Sequence, residues 1–146
     1  MSKDRFPLHA DDTWYQATRA RYGDVVPKVE HLRIRRGLQN AVADMYAQLN
    51  DLDLLRHVDI SSIETRNAGF VVINADYKPG TYEDDRIALD LCLEKHAEAM
   101  RSACEHCGNP GEIIAKSGLE TLLDDPSAVL GDRLLCAECY QDWSHA

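Results

Sequence analysis

The chain predicts an α+β fold, with N-terminal helices and a β-hairpin packed with a long helix, followed by a C-terminal four-cysteine zinc ribbon. Three observations carry this expectation. Apolar residues recur at three- and four-residue steps in two separate stretches, and a β-branched run from Phe70 to Tyr77 lies between them. In the tail, Cys104-Glu105-His106-Cys107 and Cys136-Ala137-Glu138-Cys139 form two C-x-x-C pairs with 28 residues between them. The expected division is a helical and β-hairpin domain over 1–103 and a ribbon over 104–146.

Asp11-Asp12-Thr13 precedes Trp14-Tyr15-Gln16, and Thr13 with Gln16 has capping-box spacing. A short helix should therefore run to Tyr22 and stop at Gly23, with Trp14, Thr18 and Tyr22 on one face. Val25, Val26 and Pro27 read as an extended join, Pro27 being placed to open the next helix. From about Lys28 to Asn50, the residues Ile34, Leu38, Ala41, Val42, Met45 and Leu49 form one stripe that continues to Leu52. That spacing predicts a single long helix, weakened locally by Gly37 and fraying through Asn50-Asp51-Leu52-Asp53.

Val58, Ile60 and Ile63 lead into Arg66-Asn67-Ala68-Gly69, and Phe70 to Tyr77 follows as the second strand of a hairpin. Val71, Ile73, Ala75 and Tyr77 share one face by the two-residue period, with Phe70 and Val72 on the other. Lys78-Pro79-Gly80 ends the strand, and Thr81 to Asp85 form an acidic lead into a helix over roughly Asp84 to Ala103. Leu89, Cys92, Leu93, His96, Met100 and Ala103 stripe that helix, which delivers the chain to the first cysteine pair. After it, Gly108-Asn109-Pro110-Gly111 closes a knuckle, Glu112 to Lys116 reads as a strand, and Arg133-Leu134-Leu135 as another. Leu119 to Leu130 is longer than a tight hairpin needs, and it should be an excursion with a turn near Asp124-Asp125-Pro126-Ser127. Its apolar residues Leu122, Leu123, Val129 and Leu130 are expected either to pack or to make contacts.

Each C-x-x-C can bend around an ion so that two sulfurs meet it from one turn, and two such turns complete the tetrahedral set that zinc prefers. Cys104, Cys107, Cys136 and Cys139 are thus the expected ligands of a structural Zn2+. His106, inside the first knuckle, is superfluous as a ligand and expected to face solvent. Cys92 and His96 lie four apart on the apolar stripe, where a packed thiol and a satisfied imidazole are expected.

The net charge of −9 is unevenly spread. Residues 1–60 hold nine Lys/Arg against nine Asp/Glu, whereas residues 61–146 hold seven against sixteen. Segment 104–146 has two bases, Lys116 and Arg133, against eight acids. Affinity for nucleic acid depends on neutralising phosphates, so such a ribbon is a poor reader of DNA. Direct nucleic-acid binding would have to use Arg19, Arg21, Arg33, Arg35 and Arg36, of which only Arg33 and Arg36 can share a helical face. The acids Glu83, Asp84, Asp85, Asp90, Glu94 and Glu98, which line or precede the long helix, are the candidate partner-binding surface, suited to a basic protein or simply to keeping the chain in solution. A zinc-deaminase reading would pair His96-Ala97-Glu98 with Cys136 and Cys139. It leaves Cys104 and Cys107 unused, has Leu135 where a proline belongs, and needs an open metal position that four sulfurs deny.

No apolar run approaches bilayer length, and Met1-Ser2-Lys3-Asp4-Arg5-Phe6-Pro7 lacks the apolar segment of a secretory signal. Paired metal spacing suits a reducing compartment, so a cytoplasmic protein is expected. From the hairpin onward, the order strand, Gly turn, strand, helix and then Cys104-Glu105-His106-Cys107-Gly108-Asn109-Pro110-Gly111 resembles small uncharacterised bacterial and phage proteins carrying a C-E-x-C-G-x-P-G knuckle. The resemblance implies no catalytic residues. It implies a bacterial or mobile-element setting in which small acidic proteins inhibit or regulate a larger assembly; with the closed sulfur set and the acidic surface, the expectation is a non-enzymatic protein that inhibits or regulates a nucleic-acid-handling assembly.

Overall fold

The computed structural model describes residues 6–116 and 124–145. Their order is α1 (Asp12–Tyr22), β1 (Leu32–Arg33), α2 (Gln39–Asp51), β2 (Val58–Asn67), β3 (Phe70–Tyr77), α3 (Glu83–Arg101), β4 (Ile113–Ala115), β5 (Arg133–Leu135) and α4 (Ala137–Ser144). Helices and a mixed sheet confirm the α+β class. Asp11, not Thr13, caps α1: its carboxylate accepts the Trp14 N–H at 3.1 Å, which satisfies one of the helix's orphan donors. Gly23 ends the helix at φ 76°, and Trp14, Thr18 and Tyr22 do share the inward-leaning side, joined by the buried Tyr15.

The single helix expected over Lys28 to Asn50 is not there. Short 3₁₀ turns occupy Val29–His31 and Arg36–Leu38, β1 lies between them, and α2 begins only at Gln39. Leu32-Arg33-Ile34 follows a two-residue period instead, with Leu32 and Ile34 buried and Arg33 exposed. β1 pairs parallel to β2, Leu32 opposite Ile63 and Arg33 opposite Glu64, so backbone hydrogen bonds of this segment go to the sheet and not to a helix. Pro27 does not open a helix. It is buried, and its carbonyl accepts the Tyr15 hydroxyl at 2.7 Å.

The hairpin forms as expected, β2 antiparallel to β3 around Ala68-Gly69, and β2 takes the central place in the order β1-β2-β3. The Gly69 φ of 73° makes that turn a glycine position. Val71, Ile73 and Ala75 turn toward a core shared with Val42, Met45 and Leu49 of α2 and Leu89, Cys92 and Met100 of α3. Tyr77, on the same face, is largely exposed at the strand end. Glu83, Asp84 and Asp85 form the first turn of α3 and Arg101 its last, so charge complements the helix dipole at both ends.

A second, smaller core gathers Phe6, Cys104, Ala115, Leu135, Cys139 and Trp143. Antiparallel β4 and β5 and the unforeseen helix α4 frame it. Residues 117–123, including Leu119, Leu122 and Leu123 of the excursion, lie outside the described residues. Of its remainder, Asp125 holds a turn by accepting the Ser127 N–H at 2.9 Å, Val129 is buried, and Leu130 is exposed. Among the described residues, no helix is long and apolar enough to cross a membrane.

Candidate metal centre

Two different local devices present the sulfurs. The first is a knuckle closed by an α-turn: the Gly108 N–H returns to the Cys104 carbonyl at 2.9 Å, and Gly108 adopts φ 86° to make the turn. Glu112 N–H to Leu135 O, at 2.9 Å, then leads into the β4–β5 hairpin, which carries the chain back to the same point. The second device is a helix start. Cys136 is the N-cap of α4, its sulfur accepting the Cys139 N–H at 3.4 Å, so both sulfurs sit at the positive end of that helix.

All four expected sulfurs converge: those of Cys104, Cys107, Cys136 and Cys139 lie within 4.8 Å of one another. The Cys107 and Cys136 sulfurs are 3.7 Å apart. Tetrahedral coordination at a metal–sulfur distance of about 2.3 Å requires sulfurs separated by about 3.8 Å, so the set fits an ion at its centre. Electrostatics agree. Burial pushes the Cys104 thiol up, but the N–H groups of Cys107, Cys136 and His106 aimed at it outweigh this, leaving it lowered. Burial and the crowding of neighbouring sulfurs hold Cys107 and Cys139 above the ordinary thiol value. Four thiolates in so small a space repel one another unless a cation lies between them, and these residues can hold one.

The knuckle is bonded to the N-terminal core by Glu105 and Gly37, to which the sequence assigns no site role, and by Arg35, which it offers only as a nucleic-acid contact. Glu105 lies between two ligand positions, yet it is buried and not solvated. Its carboxylate accepts Arg35 at 2.9 Å and the Leu134 N–H at 2.7 Å, and its own N–H donates to Leu134 O at 2.7 Å. Arg35 is 0 % exposed and also donates to the carbonyls of Val129 (3.1 Å), Gly131 (2.9 Å) and Asp132 (3.3 Å). Gly37 donates its N–H to Glu105 O at 3.0 Å, and a Cβ there would overlap the backbone of Cys104 and Glu105. Gly37 is thus a close-approach glycine and not a weak spot in a helix. The only advance signal for this junction was an acid placed inside a cysteine knuckle and an arginine directly after the apolar Ile34.

His106 departs from expectation. It is half-buried, its ring centroid 4.4 Å from that of Phe6, which in turn meets Trp143 edge-on at 5.2 Å. The buried Arg133 guanidinium lies 4.6 Å from the Trp143 ring centre, covering it by a cation–π contact. His96 stays apart from the sulfur cluster, buried on α3 with Nδ1 2.8 Å from the Cys92 carbonyl. Burial raises the neighbouring Cys92 thiol, whose Sγ lies 3.7 Å from Gln48 Oε1, to which it donates.

The acids expected to face a partner all lie on α3, but they differ in employment. Asp85 is 3.6 Å from His57, Asp90 accepts the Tyr77 hydroxyl at 2.5 Å, and Glu94 and Glu98 share Arg101 at 2.9 and 3.0 Å. Glu83 and Asp84 are exposed and, among the described residues, make no ion pair. No family model matches the chain, and neither the curated proteins nor the solved structures yield a match.

Proposed function

We propose that this chain is a non-enzymatic, zinc-scaffolded binding module whose acidic helix α3 receives a basic protein of a nucleic-acid-handling assembly, acting as its inhibitor or regulator. Zinc suits the site because an all-sulfur tetrahedral set is its usual structural environment and leaves no open corner for chemistry. The reducing interior of a cell, in the bacterial or phage setting suggested by the knuckle resemblance, fits free paired cysteines.

One observation carries the reading: the contrast between the engaged arginines and the exposed first turn of α3, where Glu83 and Asp84 make no ion pair among the described residues. Arg19 bonds Asp24 and the Val26 carbonyl, Arg21 lies over Tyr22, Arg33 bonds Glu30 O, Arg36 is 3.8 Å from Asp11, and Arg35 is buried in the metal lobe. These side chains do not form the open basic face that phosphates require. On α3, by contrast, Ile87 (51 % exposed) and Leu91 (69 %) stand one turn apart on the side opposite the buried stripe, with Glu83, Asp84 and Asp90 around them. First-turn acids complement the helix dipole, which accounts for their place but not for the apolar pair between them. An apolar centre inside a charged rim is the anatomy of a protein contact, and the sign of the rim selects a basic partner and disfavours a second copy of this chain.

The test is capture from a native lysate with the wild-type chain and with a Glu83→Lys/Asp84→Lys variant. Expected is retention of a basic nucleic-acid-binding protein, lost by tenfold or more in the variant while its thermal midpoint stays within a few degrees. Capture indifferent to the reversal, or tight and steeply salt-dependent DNA or RNA binding by the isolated wild type, would overturn the reading.

A further inference from the structure

We infer that Cys107 and Cys136 form a peroxide-sensitive pair whose disulfide dismantles the metal site. The inference rests on the metal reading above and adds a modification to it. The four sulfurs are not equivalent. Cys104 and Cys139 are buried, whereas Cys107 is exposed and Cys136 half-exposed. The two accessible residues come from different devices, knuckle and helix start, and their sulfurs are 3.7 Å apart. A disulfide needs about 2.05 Å between sulfurs, so the pair must close by about 1.7 Å, a movement within reach of a turn and a helix first turn.

The chemistry balances. The Cys107 thiolate attacks one oxygen of hydrogen peroxide: an S–O bond forms, the O–O bond breaks, and hydroxide leaves, giving a sulfenic acid. The Cys136 thiolate then attacks that sulfur, forming the S–S bond and expelling a second hydroxide. Two thiolates have lost two electrons, and the peroxide, with two protons from solvent, has become two waters. Only the buried sulfurs of Cys104 and Cys139 then remain for the ion, half of the set that held it. The knuckle that Gly37 and Arg35 grip loses its internal clamp, and a dithiol reductant with zinc restores it.

Pairing within either C-x-x-C is the competing outcome, but each such pair contains one buried sulfur. Cys104 in particular is held by three backbone N–H groups. The test uses the full zinc-loaded chain carrying Cys92→Ser, which removes the one thiol outside the cluster. Metal content is measured first, since its absence would sink the zinc reading and leave the redox inference to be judged on peptide mapping alone. Under increasing hydrogen peroxide, a chromogenic chelator should report one zinc released per two thiols consumed. Proteolytic mapping should show Cys107–Cys136 as the main cross-link, reversed by dithiothreitol. A main cross-link of Cys104–Cys107 or Cys136–Cys139, zinc retained until all four thiols are consumed, or irreversible sulfinic acid as the first product would each overturn the inference.

Discussion

Replacing Arg35 by Met should be the most damaging single change outside the cysteines. The guanidinium is fully buried and donates to the Glu105 carboxylate and to three carbonyls, so the substitution removes all of these bonds at once. What remains is a buried carboxylate facing a thioether, a situation that costs about 3–5 kcal/mol. The orphaned carbonyls add to this wherever water cannot reach them. Against the roughly 5–15 kcal/mol that stabilises a domain, the zinc-loaded variant should lose about a fifth or more of its stability, read from its urea midpoint at constant slope. A pH signature accompanies the loss. Burial already pushes Glu105 up, with Arg35 and the Leu134 N–H pulling it partly back. A folded-state value above the unfolded one means stability is fully present below the unfolded carboxylate pKa and is lost as pH rises through the folded one. Without Arg35 the folded value rises further, so the variant should be least stable near neutrality and recover toward pH 5. Adding Glu105→Gln should return at least 1.5 kcal/mol at pH 7 and flatten the profile. A loss below about 1 kcal/mol, or a variant that gains stability from pH 5 to 7, would refute the idea that this ion pair joins metal lobe and core.

Gly37→Ala should destabilise by 2 kcal/mol or more, since its methyl meets knuckle backbone that cannot swing aside. A loss of only ~0.5 kcal/mol in chemical denaturation would show the approach to be loose. Stripping the metal with a chelator should abolish the near-ultraviolet signal of Trp143, which packs with Cys104 and Cys139 in the second core. Far-ultraviolet helicity from α2 and α3 should fall less, and an unchanged Trp143 signal would mean that the ion does not hold this lobe.

The parts of the molecule legible in the sequence are those whose pattern is local. The hairpin announced itself through β-branched residues around Ala68-Gly69, α3 through its stripe ending in Met100, and the ligand set through cysteine spacing. The segment 28–38 reads as helix because Ile34 and Leu38 are four apart, while the contacts it makes instead lie far along the chain: Leu32 pairs with Ile63, and Arg35 reaches Glu105, 70 residues downstream. Gly37 carries the same lesson, its role being set by a backbone it touches only after folding. Helix α4 went unseen because Cys136 and Cys139 were already claimed as a knuckle, although a sulfur at an N-cap serves both purposes. The six acids expected on or before the long helix do all lie on α3, but only geometry separates Glu83 and Asp84 from Glu94 and Glu98, which Arg101 already neutralises in part.

The sulfur cluster and the acids that rim the proposed contact face at its start, Glu83 and Asp84, stand at opposite ends of one rod, with Ile87 and Leu91 between them. Helix α3 enters the first knuckle directly through Ser102 and Ala103, whereas Glu83 and Asp84 begin it, 19 residues and, at 1.5 Å per residue, about 28 Å away. An ion at the far end cannot tune such a surface by its own field, which solvent and salt screen over about 8–10 Å. Its influence has to be mechanical, transmitted through Met100 and Ala103 in the core and through the Arg35–Glu105 junction that fixes the lobe against the sheet. Metal loss should therefore weaken partner capture only to the extent that it unfolds or frays α3, and the two should fall together along a denaturation curve. If capture vanished on metal removal while α3 kept its full helicity, the contact face would have to lie on the metal lobe itself, and the acids of α3 would revert to solvation.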